Sequence, residues 1–75
     1  MTLKEGNPGQ RFKILAIDDS PLKNRLMTMG MVPGTAVAVL RSAPLGDPMA
    51  VRVRSYQLAL RRSDAENIHV EPCQT

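Results

Sequence analysis

Apolar and polar residues alternate in short runs along most of this chain, and the period changes once, near its first third. From Arg11 to Ile17 the alternation puts Phe12, Ile14 and Ala16 on one side and Lys13, Leu15 and Ile17 on the other, the pattern of a strand buried mainly on one face. Asp18 and Asp19 end that strand, and Ser20-Pro21 reads as a helix start, with serine as N-cap and proline's fixed φ suited to the first turn. Leu22, Leu26 and Met29 then recur at helical spacing as one apolar stripe, and Gly30 just past them suits the left-handed conformation that ends a helix. Met31, next after the glycine, is placed to fold back on Leu26, which is a packing role.

Beyond the helix the strand period returns. Pro33-Gly34 fits the central positions of a type II turn, and Thr35 to Leu40 alternates without a single charge, which predicts a strand covered on both faces. Ala43-Pro44-Leu45-Gly46-Asp47-Pro48 is a turn cluster whose prolines cannot donate to a ladder, so it predicts an ordered loop. On the third strand Met49, Val51 and Val53 face inward while Arg52 and Arg54 face water. Ser55 bends the chain into a fourth strand carrying Tyr56, Leu58 and Leu60. Ser63 and Glu66 have capping-box spacing over a single helical turn, and Ile68 to Glu71 predicts a fifth strand. About five strands with one short α-helix between the first and second predict a mostly β, closed or nearly closed small barrel, because closure removes edges a tiny sheet cannot protect. The whole of residues 1–75 reads as one domain, with its core at about 11–71.

Length narrows the function. A chain of 75 residues buries only about 60% of the surface its unfolded form exposes, so a deep catalytic cleft is not expected. Phe12 and Tyr56 are the only aromatics, both in phase with core positions, which leaves the core to aliphatic residues and methionine. A net charge of +3 allows attraction to acidic protein, lipid headgroups or nucleic acid without choosing among them. Cys73 is alone, so no internal disulfide forms. The polar start and the lack of any run near the ~20 apolar residues of a membrane span predict a cytoplasmic protein that meets a membrane only through a partner.

No glycine-rich phosphate cradle is present, and the serines have only His69 as a base, with no spacing that assembles a triad. The chain therefore reads as a non-enzyme without a cofactor. The metal-ligand inventory is thin: His69 and Cys73 stand four apart, which in a strand separates them by about 13 Å, and Pro72 argues against a helix there, so no metal site is assigned. Asp47 between Gly46 and Pro48 suits hydrogen bonding to the amides of its own loop. Leu45, at a proline-stiffened loop tip, either anchors a partner or caps the barrel's open end. Met27 lies off the apolar stripe and faces water, where a flexible side chain suits an adaptable surface, and Arg25 and Arg41 complete a basic rim. Leu45, Met27, Arg25 and Arg41 are the candidate partner-binding residues. Arg52, Arg54, Arg61 and Arg62 read more simply as a solvated face.

Three segments in order resemble the FeoA family of ferrous-iron transport accessory proteins: Arg25-Leu26-Met27-Thr28-Met29-Gly30-Met31-Val32-Pro33-Gly34, then Arg41-Ser42-Ala43-Pro44-Leu45-Gly46-Asp47-Pro48, and Leu58-Ala59-Leu60-Arg61-Arg62. The resemblance spans roughly Lys13 to Val70. It implies an SH3-like β-barrel, a cytoplasmic location, and action on the membrane-embedded, nucleotide-hydrolysing FeoB iron transporter through its soluble region. A similar barrel is appended to some metal-dependent repressors, but no helix-turn-helix accompanies it here. The rival reading is a small basic nucleic-acid-binding barrel. It is disfavoured because such surfaces stack bases on aromatics this chain lacks, so no nucleic-acid partner is assigned. Self-association is left open.

Overall fold

The computed structural model describes residues 1–42 and 46–73. A 3₁₀ turn at Leu3–Glu5 leads into β1 (Arg11–Ile17), α1 (Lys23–Thr28), β2 (Ala36–Ser42), β3 (Met49–Val53), β4 (Tyr56–Leu60), α2 (Arg62–Ala65) and β5 (Ile68–Pro72). Every strand pairing is antiparallel, and the strands lie in the order β4-β3-β2-β1-β5. β4 and β5 are the two edges, so hydrogen bonds do not close the sheet. The molecule nevertheless measures 30 × 28 × 24 Å, nearly equal in all directions, as expected of a sheet wrapped around its own core. Phe12, Ile14, Val37, Val39, Met49, Val51, Val53, Ile68 and Val70, each at most 1% exposed, form that inner face.

Two irregularities bend the sheet and alter the expected alternation. On β1, Ile14 pairs with Val70 but Ala16 pairs with His69, so Leu15 is an extra residue bulging from the ladder. The phase slips there. Ile17 enters the core, whereas Ala16 is exposed and Leu15 is 46% exposed, reversing the sides assigned to Ala16 and Ile17 by strict alternation. On β2 the register shifts between Val39 and Arg41, leaving Leu40 unmatched. β2 is also not covered on both faces: Val37 and Val39 are buried, but Ala36 is exposed and Ala38 half-buried. Leu26 of α1 joins the cluster on the valine side, which leaves the alanine side to water.

α1 begins at Lys23, later than the Ser20-Pro21 signal. The Lys23 N–H bonds the Ser20 carbonyl at 3.1 Å, so these residues make a tight turn before the helix, and no side chain caps it. Its end follows the expectation closely. Gly30 has φ of 101°, the Met31 N–H reaches back to the Leu26 carbonyl at 3.0 Å, and the Gly30 N–H reaches Met27 at 3.1 Å, the paired bonds of a Schellman ending. Met31 and Leu26 are both buried behind it. The following turn is also as expected, with Gly34 at φ 92° and the Thr35 N–H on the Val32 carbonyl at 3.1 Å.

α2 starts one residue before Ser63, so the Ser63–Glu66 capping box does not form. The Arg62 N–H is instead satisfied by Asp47 Oδ1 at 2.8 Å, across fifteen positions of sequence. At the other end of the chain, Leu3 is fully buried, and the polar start is tied down: Thr2 bridges His69, the Val70 N–H bonds the Met1 carbonyl at 3.0 Å, and the Thr2 N–H bonds Glu5 Oε1 at 3.2 Å.

Candidate partner-binding surface

α1 has only six residues, too few to be stable alone, so its apolar side must be covered by the sheet. Leu26 is, but Leu22 and Met29 are only half-buried, because β4 beside them is an edge strand with no further strand beyond it among the described residues. The result is a groove of about 430 Å³ in which Leu22, Leu26 and Met29 face Leu58 and Leu60 of β4. Arg25 on the helix and Arg61 with Asp64 after β4 line it as well, and neither arginine holds an ion pair among the described residues. A trough with an aliphatic floor and two unneutralised guanidinium groups is suited to an apolar side chain presented within an acidic segment.

The candidate contact residues separate in space. Met27 is exposed on α1, at 36%, and Arg25 lines the groove beside it; neither Met27 nor Arg41 contributes to the groove lining. Arg41 is exposed near the end of β2, opposite Ala50. Leu45 lies outside the described residues. The groove itself was missed at the sequence level, although Leu58 alternating with exposed Gln57 and Ala59 was a legible sign of a strand half-covered by something else.

Other singled-out residues have structural partners. Asp47 accepts the Arg62 N–H at the start of α2, and residues 43–45 of its own loop lie outside the described residues. Arg62 is half-buried, its Nε donating to the Gly46 carbonyl and its Nη1 to the Lys4 carbonyl at 2.5 Å, which removes it from the solvated face to which it was assigned. His69 Nε2 sits 3.0 Å from both oxygens of Asp18, half-exposed, and no three His, Cys, Asp or Glu side chains converge on a metal-sized site among the described residues. Cys73 donates its backbone N–H to Arg11. Tyr56, expected in the core, is 49% exposed, because its position on the edge strand leaves one side of the ring without a neighbour.

Residues 1–72 match the FeoA domain family. Among curated proteins, the chain is 36% identical over 72 residues to a Porphyromonas gingivalis protein described as a fusion of Fe(2+) transport protein A with the Fe(2+) transporter FeoB; the aligned region is 95% of this chain but only 8% of that protein. Among solved structures, the FeoA protein of Chlorobium tepidum superposes with a TM-score of 0.93 at 39% identity, over 99% of this chain and 71% of that one. FeoA of Stenotrophomonas maltophilia, solved with zinc and described as a procaryotic SH3 domain protein, superposes with a TM-score of 0.86 at 29% identity, over 95% of this chain and 89% of that one. The five-stranded sheet with its two short helices is thus an SH3-like fold. No helix among the described residues is long and apolar enough to cross a membrane.

Proposed function

Because this chain belongs to the FeoA family of ferrous-iron transport accessory domains, we propose that it binds an FeoB-type transporter from the cytoplasmic side and modulates that transporter through its soluble nucleotide-binding region. The observation that carries this reading is the fused relative, in which an equivalent segment and an FeoB transporter share one chain. Two modules held in one polypeptide meet at an effective concentration in the millimolar range, so a weak docking surface is sufficient there and a separate chain needs a better one. The proposed contact combines Leu45 and Met27 as apolar anchors with Arg25 and Arg41 as flanking cations. Exposed arginines beside an apolar patch supply steering and register more than affinity. The reading gives the chain itself no chemical step; nucleotide hydrolysis belongs to the transporter.

The test is co-purification of this chain with a full-length FeoB-type transporter, followed by the transporter's nucleotide hydrolysis rate with and without the chain. Leu45→Asp is expected to abolish retention on the transporter's cytoplasmic region with a nearly unchanged thermal melt. Retention of the Leu45→Asp variant would overturn the contact, and failure of the unaltered chain to co-purify would overturn the partner.

A further inference from the structure

The outer face of the sheet carries a second concavity, sharing no residue with the groove beside α1. Arg11, Ala38 and Arg52 stand directly opposite one another on β1, β2 and β3. Neighbouring strands run about 4.8 Å apart, so the two arginines start roughly 10 Å from each other with only a methyl group between them. Long side chains on such a row lean over the alanine. Ala36, two residues back on β2 and on the same face, extends the low floor, and Arg54 stands beside it at the β3–β4 turn. Together these residues enclose a depression of about 380 Å³.

The stem of Arg54 packs along the end of α1. The Arg54 backbone is left-handed, with φ of 55°, and its stem lies against Gly30, where any Cβ would come within 2.9 Å of Arg54 Cδ. None of the three arginines meets a carboxylate: the ion pairs among the described residues are Lys4–Glu66, Lys13–Glu71, Lys23–Asp19 and His69–Asp18. Three like charges around one small-residue floor repel one another, and an anion seated between them relieves that. A carboxylate is satisfied by one guanidinium fork, whereas a tetrahedral dianion offers enough acceptor oxygens and charge for several.

The geometry points to a phosphate-binding site formed by Arg11, Arg52 and Arg54 over Ala36 and Ala38, for a phosphate group that is free or borne on a small ligand. It shares no residue with the transporter contact proposed above, so loss of one is separable from loss of the other.

The experiment titrates inorganic phosphate into the ¹⁵N-labelled full chain at ionic strength held constant with sodium chloride, following backbone amides and arginine Nε–H signals. Saturable shifts confined to residues 11, 36–38 and 52–54 are expected. Arg52→Gln and Arg11→Gln should each weaken binding at least fivefold, and so should Ala38→Leu, which fills the floor without touching charge. Arg41→Gln removes an equal charge outside the depression and should stay within twofold. Equal weakening by Arg41→Gln, or unchanged binding in Ala38→Leu, would reduce the site to diffuse electrostatics and overturn it. If Arg52→Gln fails to fold by its own amide spectrum, Arg11→Gln decides. A nucleoside diphosphate and anionic phospholipid vesicles, added in parallel, distinguish a soluble ligand from a headgroup, since both present the same group. Response to an oligonucleotide alone, with none to phosphate or the diphosphate, would overturn the small-ligand site in favour of a polymer backbone.

Discussion

Arg61 and Arg62 are adjacent in sequence and opposite in role. Arg61 projects beside the groove, exposed and without an ion pair among the described residues, whereas Arg62 ties the Gly46 and Lys4 carbonyls together while its backbone N–H donates to Asp47. Hydrogen bonds involving a charged group contribute about 1.5–3 kcal/mol each, and an unconstrained surface arginine contributes within about 0.5 kcal/mol. Arg62→Ala should therefore lower stability by about 2–4 kcal/mol in a urea titration, with Arg61→Ala nearly silent; similar losses from both would contradict the assignment. Gly6 makes a different demand. Its φ of −73° suits any residue, but a Cβ there would come within 2.9 Å of both Phe12 Cε2 and Val39 Cγ2. Gly6→Ala should cost about 1–3 kcal/mol as overpacking, seen as a lower urea midpoint at an unchanged slope. Nothing in the sequence marks Gly6, because its constraint is a packing distance set by the tertiary fold, to Phe12 on β1 and Val39 on β2.

At the scale of elements, α1 shows which signals are legible and which are not. Its apolar stripe and its glycine ending are local, set by residues within one turn, and both are found where spacing placed them. Its start slid two residues because a tight turn at Ser20 competes for the same backbone groups. The strands show the same division. Met49, Val51 and Val53 keep perfect alternation, but the bulge at Leu15 depends on β5, and no pattern within Arg11–Ile17 reveals that one residue will drop out of the ladder. The groove was only half legible for a related reason: the alternation at Leu58 hints at cover, but what covers it is α1, which ends at Thr28, well before β4 begins at Tyr56. The helix offers a clean separation of stability from contact. Leu26→Ala should cost about 2–5 kcal/mol, since Leu26 is 5% exposed and also anchors the helix ending. Met27→Asp should leave the thermal melt within the small range of surface changes while weakening transporter retention; a collapse of the melt would place Met27 in the core instead.

For the molecule as a whole, charge and edges set the terms on which partners approach. A net +3 with one exposed aromatic, Tyr56, does not make a base-stacking platform, so a gel-shift series with single-stranded oligonucleotides should show no specific shift even at low salt. A strong shift that weakens steeply with salt would restore the nucleic-acid reading. The N-terminal segment has a further consequence, one of time. Leu3 is buried, Lys4 is held by Arg62 across 58 positions, and Thr2 bridges His69. The bridge from Thr2 to His69 and the bond from Arg62 to the Lys4 carbonyl join residues 58 or more positions apart, so closing these contacts requires large loops. The segment is therefore expected to dock onto a sheet already formed, after the rate-limiting step. Leu3→Ala should accelerate unfolding and leave the folding rate almost unchanged in a chevron measurement, making these residues the latch on an otherwise finished fold.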